Sequence, residues 1–388
     1  MRGSVRKRGD TWTAYWFAVE QDSGKRRQHS KGGFQTRSTA ESHLNQIVGL
    51  IESGTWSPSS KTTVKSFVED AWLPSLASAV IGGSMKPTTE HFYKHLAKRH
   101  IIHHLGSVRL KDLTAVRLNA FYAELLTTGR QGGVTGLSPT TVSRVHVTMH
   151  RILRDAVKWG HVPTNVADLA TPPRPTSTKM KVWSPTQIRK FVEITSADRL
   201  GVLWRLLLMT GLRRGEACGL QWSDIDLDQR RMDIARARVM AGGRVVLSTP
   251  KTAASARSIG LDPQTVSALR RFKALQATER LAAGTAWSNH EGWIFTDEVG
   301  RPVHPNAVSK LFANAVTTTS MPKIRLHDLR HSYATAALEA GVPLKVVSER
   351  FGHKRIGTTA DIYSHVRPEV DQAAADQVAG MIMSSEAN

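Results

Sequence analysis

Residues 325–335 read RLHDLRHSYAT and place a histidine, His327, three positions before an arginine, Arg330. Residues at this spacing share one face of a helix, so both side chains can reach the same bound group. Leu329 would face away from them and anchor the turn in a hydrophobic core. The stretch therefore predicts a helix that presents an anion-binding pair from a packed domain. Taken by itself, His327 is equally well explained as a buried, hydrogen-bonded histidine.

A second arginine precedes this pair by more than 100 residues. Residues 210–220, TGLRRGEACGL, follow a strongly apolar segment at 202–209 that predicts a buried helix. Gly211 would allow a sharp turn that aims Arg213 out of the core. A planar guanidinium can bind two phosphate oxygens at once, which a lysine cannot do. We interpret Arg213 as a phosphate ligand and Arg214 as a structural or DNA-backbone contact; a surface arginine beside a helix cap is the alternative for Arg213.

Two further strings offer a lysine and a second histidine. Residues 248–259, STPKTAASARSI, place Lys251 on the turn of a predicted hairpin. A lysine crowded by other cations has a lowered pKa and can protonate a leaving oxygen, although a lysine on a turn is ordinarily just solvated. Residues 349–359, ERFGHKRIGTT, contain His353, which could hydrogen-bond a phosphate oxygen or cap a helix end.

Breaking a phosphodiester with these cations would also need a nucleophile, and the chain offers five tyrosines for that role. A phenol has a pKa near 10 and becomes a useful nucleophile only when cations favour the phenolate. Tyr15 lies in a basic N-terminal segment, and Tyr93 and Tyr122 lie in helices with periodic apolar residues. Tyr333 follows Arg330 closely but belongs to an apolar ladder, so we expect it in the core. Tyr363, in residues 360–366 (ADIYSHV), is the preferred candidate.

Composition points to a polyanionic partner. The chain has 388 residues, enough for two or three domains, and a formal net charge of +21. Because no run of about 18 apolar residues and no signal-peptide pattern is visible, nucleic acid is favoured over a membrane surface, and a cytoplasmic, nucleoid-associated location in a bacterial host is expected. The single cysteine, Cys218, excludes an internal disulfide and a cysteine zinc cluster.

The organisation of the chain predicts a multidomain α+β protein. Alternation of apolar and polar residues at 11–19 and a helical pattern at 38–52 predict a small basic β-sheet with one helix. Residues 64–170 have a mostly helical pattern and predict an all-α domain. Residues 231–261 predict a β-hairpin, broken at Gly242 and Gly243, within a mixed, mainly helical domain. The predicted boundaries are 1–56, a linker at 57–63, 64–170, a proline-rich linker at 171–179, and 180–388. The basic residues of the first domain form a DNA-binding candidate set: Arg6, Lys7, Arg8, Lys25, Arg26 and Arg27.

The strings TGLRRGE, HDLRHSYAT, FGHKRIGTT and IYSHV resemble the signatures of the tyrosine recombinase (phage-type integrase) family, in the same order, over about residues 180–370. The helical region resembles the core-type DNA-binding domain of that family, and the basic N-terminal module resembles its arm-type DNA-binding domain. One departure is Phe351, which replaces the leucine usual before Gly-His and should alter packing but not chemistry.

The resemblance implies a function and a set of roles. Tyr363 would attack DNA to form a 3′-phosphotyrosyl link and free a 5′-hydroxyl, with Lys251 as general acid and Glu216 supporting the first arginine. The phosphate binders would be Arg213, His327, Arg330 and His353. Neither ATP nor a metal cofactor would be needed, because the bond energy is kept in the phosphotyrosine.

The resemblance also implies partners. The protein would close as a C-shaped clamp on duplex DNA, with attachment core sites and arm sites, and would work as a homotetramer on two DNA sites. The tail from about Asp371 would contact a neighbouring protomer, and a host DNA-bending protein and a directionality factor are further expected partners.

Two other functions remain open at this point. A sequence-specific DNA-binding protein without cleavage activity would use the same basic surfaces. A type IB topoisomerase-like enzyme would share the chemistry but would nick and reseal without exchanging partners.

Overall fold

The structure is a computed structural model of the protein. It describes residues 3–19, 26–52, 61–129, 135–176, 180–248 and 256–352, together with 356–357, 360, 376, 378–379 and 382. Contacts divide the chain into two compact units, Met1–Ser177 and Thr178–Asn388, and the division falls inside the predicted linker at 171–179.

The first unit begins with a three-stranded antiparallel sheet of β1 (Ser4–Arg8), β2 (Thr11–Val19) and β3 (Arg26–Phe34), followed by α1 (Arg37–Glu52). Alternate residues of β2, Ala14, Trp16 and Ala18, are buried and pack with Leu44 of α1. The period-2 pattern of β2 therefore puts one face of the sheet under the helix and leaves the other face open. This confirms the predicted sheet and helix.

The rest of the first unit is helical. Its α-helices in the described residues are α2 (Val64–Ser66), α3 (Leu73–Ile81), α4 (Pro87–Leu96), α5 (Ile102–Leu105), α6 (Ala115–Thr128) and α7 (Pro139–Lys158). Two π-helical turns, Phe67–Trp72 and Ala97–Ile101, connect α2 to α3 and α4 to α5. Trp72 is fully buried, and its indole N–H donates to Asp155 of α7 at 2.9 Å.

Helix α2 begins at Val64, and the residues just before it, at the end of the predicted linker, bond to the helical body. Thr62, inside the predicted linker, accepts a backbone hydrogen bond from Leu110, and Thr63 caps α2 in a reciprocal pair with Ser66. A threonine cap and the following serine satisfy backbone groups that the helix cannot satisfy itself, so these polar residues are part of the folded body.

The second unit mixes helices with short strands. Its helices in the described residues are α8 (Pro185–Ile194), α9 (Gly201–Thr210), α10 (Arg214–Cys218), α11 (Pro263–Ala283), α12 (Pro305–Thr318), α13 (Asp328–Glu339) and α14 (Leu344–Phe351). Its strands are β4 (Ile225–Asp226), β5 (Arg231–Ile234), β6 (Ala237–Ala241), β7 (Arg244–Ser248) and β8 (Arg257–Gly260).

The strands form a sheet of order β4-β5-β8 and a separate β6–β7 hairpin. The hairpin turns at Gly242 and Gly243, whose φ angles are 60° and 78°. Two successive residues with positive φ fit a two-residue hairpin turn that follows the twist of the strands, so the hairpin predicted at these glycines is confirmed.

The core of this unit positions the candidate site. Helix α9 is almost wholly buried, and α13 packs beside it through Leu329, which is 1% exposed, as the sequence pattern predicts. Consequently the C-terminal end of α9 and the N-terminal end of α13 project from one core. Within the described residues, none of the helices has the length and apolar character needed to cross a bilayer.

Candidate active site

The turn after α9 places Arg213 at the surface. Gly211 ends α9 in the left-handed conformation, with φ of 65°, and a Cβ there would lie 2.4 Å from Cε1 of Phe351. Only glycine fits both the angle and the close approach. Arg213 is extended, with φ of −73° and ψ of 147°, and is half-exposed at the start of α10. The predicted glycine turn is therefore present.

Arg214 takes a different direction from its neighbour. It is the first residue of α10, and its Nη1 donates to the hydroxyl of Ser309 on α12 at 2.8 Å. This contact supports the structural interpretation of Arg214.

Glu216 is a buried carboxylate, 7% exposed, held by two arginines. Its oxygens accept from the backbone N–H and Nη1 of Arg213, both at 2.8 Å, and from Nη1 and Nη2 of Arg257 at 3.1 and 3.0 Å. Burial raises the pKa of this carboxyl, but the hydrogen bonds and charge of Arg257, and then of Arg213, outweigh burial and leave the pKa below its usual value. Glu216 is therefore an ionised support that fixes Arg213.

Arg257 is a residue of the site that the sequence interpretation missed. Its side chain is 7% exposed, and besides Glu216 it contacts the carbonyl oxygen of Arg350, to which its Nε donates at 2.6 Å. The string ARSI, residues 256–259, contained a sign that Arg257 is buried. Arg257 shares a strand face with Ile259, which is buried, and an arginine on an inward face needs a buried acceptor.

Arg330 lies behind this surface, at 3% exposure. Its Nη1 donates to the carbonyl oxygen of Gly211 at 2.5 Å and its Nη2 to that of Phe351 at 2.7 Å. Its guanidinium carbon is 3.7 Å from the centre of the Phe351 ring, a cation–π contact. The phenylalanine that departs from the family pattern thus packs directly on the buried arginine.

His327 stands at the N-terminal end of α13, as its N-cap residue, and is exposed. Although the residue as a whole is exposed, its ring is partly enclosed by neighbouring atoms; this partial desolvation lowers its pKa, and the positive charges of Arg330, Arg325 and Arg213 lower it further, against the opposing charge of Asp328. The ring therefore tends to be neutral, and it can accept or donate a hydrogen bond at the site.

A second histidine supports the first. The ring of His331 meets that of His327 edge-on, with centroids 5.0 Å apart and planes at 88°. Burial, and then the nearby His327, lower the pKa of His331 to about 4.

The described residues thus bring Arg213, Arg330 and His327 together around the α9–α10 turn. Lys251, His353 and Tyr363 lie outside the described residues. The nearest described positions to the first two are Ser248, where β7 ends, and Gly352, which ends α14 with φ of 60°. The predicted tail contact from Asp371 also lies in a part of the chain that is largely undescribed.

The other four tyrosines have packing or stacking surroundings. Tyr333 packs against Phe351, with ring centroids 5.9 Å apart, which fits the predicted core role. Tyr122 is 2% exposed, its hydroxyl is 2.9 Å from Nδ1 of His146, and burial raises its pKa. Tyr15 and Tyr93 lie under arginine guanidinium groups.

The N-terminal basic residues divide between the two faces of the sheet. Residues paired across antiparallel strands share a face, and the register pairs Arg6 with Thr13, Arg8 with Thr11 and Arg26 with Val19, all on the face away from α1. Lys7 pairs with Trp12 and Arg27 with Ala18, on the α1 side. Lys25 lies outside the described residues. The open face also carries Phe17, 47% exposed, with Arg26 stacked 4.8 Å from its ring.

The described part of the chain contains no group of three or more His, Cys, Asp or Glu side chains arranged to hold a metal ion.

Comparison with known proteins matches two parts of the chain to family models. Residues 182–369 match the phage integrase family, and residues 4–49 match an arm DNA-binding domain. The first match spans the candidate active site, including the undescribed Lys251, His353 and Tyr363.

Similar curated proteins extend the match to most of the chain. A tyrosine recombinase XerC-like protein of Caldanaerobacter subterraneus is 28% identical, over 75% of this chain and 77% of the relative. The ICEBs1 integrase of Bacillus subtilis is 27% identical, over 79% and 82%. An integrase of Streptomyces ambofaciens is 26% identical, over 92% of both chains.

Solved structures share the fold. The Tn1549 transposon integrase in complex with transposon right end DNA has a TM-score of 0.66 and 19% identity, over 82% of this chain and all of that one. A lambda integrase tetramer bound to a Holliday junction has a TM-score of 0.55 and 18% identity, over 92% and 94%.

Proposed function

The chain belongs to the phage integrase family of tyrosine recombinases, and on that premise we propose that it integrates or excises a phage or mobile element by cutting and rejoining DNA through Tyr363. It is a site-specific DNA recombinase. The observation that carries the residue assignment is the convergence of Arg213, His327 and Arg330 at one turn, inside the region that matches the family.

The proposed reaction is an exchange of phosphodiester bonds. The phenolate oxygen of Tyr363, the form that the neighbouring cations favour, bonds to the phosphorus, the bond from phosphorus to the 5′-oxygen breaks, and Lys251 gives that oxygen its proton. The product is a 3′-phosphotyrosyl link and a free 5′-hydroxyl. Attack by a 5′-hydroxyl of the partner duplex reverses these steps and releases the tyrosine, so the number of phosphodiester bonds is conserved.

The described residues would stabilise the negative charge that grows on the phosphate in this reaction. Arg213 is half-exposed and is held by Glu216, so it presents a fixed cation to the DNA. His327, exposed at the helix start, would hydrogen-bond a phosphate oxygen, and His353 would add a second such contact. Arg330 is buried, so its charge would act from behind the surface, where the low dielectric strengthens it.

The proposed partners are duplex DNA and further copies of the chain. The helical region 64–170 would bind core sites, and the open face of the N-terminal sheet, with Arg6, Arg8 and Arg26, would bind arm sites. A homotetramer on two DNA sites, a tail contact between protomers, a host DNA-bending protein and a directionality factor complete the proposal. Such a reaction would take place on DNA in the bacterial cytoplasm.

Covalent trapping tests the proposal. Nicked duplexes from candidate attachment regions, which lose the cleaved end and cannot religate, are incubated with the full chain in EDTA and compared for wild type and Tyr363→Phe. A protein–DNA adduct formed only by wild type is expected, with DNA binding retained by both. An adduct formed equally by Tyr363→Phe would move the nucleophile to another tyrosine.

The same reaction separates the alternatives. Joint products between two differently labelled duplexes distinguish recombination from topoisomerase-like nicking and resealing. Binding without an adduct, on DNA that carries both attachment partners, would favour a DNA-binding protein that does not cleave.

A further inference from the structure

Arg257 connects two elements of the candidate active site. It begins strand β8, and its guanidinium bonds to Glu216 on one side and to the last turn of α14 on the other. The sequence interpretation gave it no role.

The contact of Arg257 with Glu216 is bidentate. Nη1 and Nη2 of Arg257 each donate to a different oxygen of the carboxylate, at 3.1 and 3.0 Å, in a parallel geometry that only arginine provides. The same carboxylate accepts from Arg213. Glu216 is thus shared by a half-exposed arginine, the proposed phosphate ligand Arg213, and the buried Arg257.

The contact with α14 lies at the end of that helix. Nε of Arg257 donates to the carbonyl oxygen of Arg350 at 2.6 Å, and Nη2 of Arg330 donates to the carbonyl oxygen of Phe351 at 2.7 Å. The last carbonyls of a helix carry its negative end and lack partners within the helix, so two buried cations there hold the helix end firmly.

The packing at this end is close. Gly352 has φ of 60°, and a Cβ there would lie 3.0 Å from Nη1 and 3.3 Å from Cδ of Arg257. The guanidinium therefore lies directly against the backbone where α14 ends, immediately before His353.

We infer that Arg257 is a positioning residue that couples the orientation of Arg213, through Glu216, to the end of α14, from which the chain runs on to His353 and Tyr363. The effect of Arg257 on the rate of DNA cleavage rests on the proposed function. Arg257 is also six residues after Lys251, the proposed general acid, in the sequence.

Misplacement of a reacting group by about 1 Å can cost about 100-fold in rate. A side chain that fixes two parts of the site therefore affects cleavage without touching the DNA. Arg257→Lys keeps the positive charge but cannot bond both carboxylate oxygens and the carbonyl of Arg350 together.

Arg199→Lys is a matched control in the same unit. Arg199 also bonds both oxygens of a half-buried carboxylate, Glu279, and donates to a backbone carbonyl, that of Thr296, but outside the candidate site. Arg199→Lys should lower the free energy of unfolding about as much as Arg257→Lys does, and it should leave the rate of DNA cleavage unchanged.

The experiment measures single-turnover formation of the covalent adduct on nicked duplex at saturating protein, together with DNA affinity. Arg257→Lys should slow adduct formation by about 10- to 100-fold with unchanged affinity, while Arg199→Lys cleaves at the wild-type rate. Equal cleavage rates for Arg257→Lys and Arg199→Lys would overturn the inference.

A second measurement does not depend on cleavage or on the folding of an Arg257 variant. Hydrogen exchange is followed in wild type and in Glu216→Gln, which keeps the shape of the side chain but removes the charge that holds Arg257. Among the described residues, the side-chain hydrogen bonds of Glu216 run to Arg213 and Arg257 and not to α14.

Faster exchange in peptides covering 344–352 would therefore show the coupling through Arg257, and unchanged exchange there would contradict it. The two failures can be told apart. If only the proposed function is wrong, wild type forms no covalent adduct but Glu216→Gln still exchanges faster than wild type in residues 344–352.

Discussion

Replacing Glu216 by alanine should destabilise the second unit strongly. The change leaves Arg257, with a side chain 7% exposed, as a buried cation without its carboxylate. Removing one partner of a buried ion pair costs about 3–5 kcal/mol, because the remaining charge is desolvated without compensation. The second pair adds little, since the Arg213 side chain is 40% exposed and such pairs contribute about 0–1 kcal/mol. We therefore expect a loss of about 4 kcal/mol in the free energy of unfolding.

Pulse proteolysis across a urea series suits this measurement, because the full chain has more than one unit and a single global transition is not assumed. Peptides from residues 182–352 report the fraction of the second unit that remains folded. Glu279→Ala is the matched control, because Glu279 pairs with Arg199 in the same bidentate way at 12% exposure.

Glu279→Ala should lose a similar free energy of unfolding. A loss below about 1 kcal/mol for Glu216→Ala would refute the reasoning, since it would mean that Arg257 finds water or another partner at little cost.

Two further predictions follow from the histidines and from the N-terminal sheet. His331 has a pKa of about 4 in the folded chain and about 6.5 when unfolded, so the unfolded state binds more protons between these values. The free energy of unfolding should therefore be unaffected by His331 above about pH 6.5 and should fall by up to about 1.4 kcal/mol per pH unit from there towards pH 4. Urea titrations of His331→Asn should show a smaller dependence on pH. An unchanged dependence would mean that other groups cause it. Arg26→Ala should make the negative slope of log affinity against log salt shallower by about 0.9 on duplex DNA, whereas Arg27→Ala, on the α1 side, should leave it unchanged; equal effects of the two substitutions would contradict the division of faces.

The sequence was informative where one residue type had one physical explanation. Gly211 predicted a sharp turn, Leu329 a core anchor and Gly242 with Gly243 a hairpin, and all three are present. It was less informative for Arg257, because a buried arginine is recognised only when its acceptor is known, and Glu216 lies 41 positions away. Pattern alone also gave no account of the burial of Arg330, which follows from carbonyl oxygens at two helix ends.

The contrast between Arg213 and Arg214 shows how little backbone change separates a half-exposed arginine, the proposed phosphate ligand, from a structural one. Arg213 is extended at ψ of 147°, whereas Arg214 begins the helix, so the two side chains leave the turn in different directions. What fixes the change is Gly211, whose close packing against Phe351 makes the turn depend on the end of α14. Phe351 in turn covers Arg330 with its ring and binds it with its carbonyl oxygen. The orientation of the half-exposed Arg213 is thus set by buried contacts among three helix ends, contributed by residues more than 100 positions apart in the sequence.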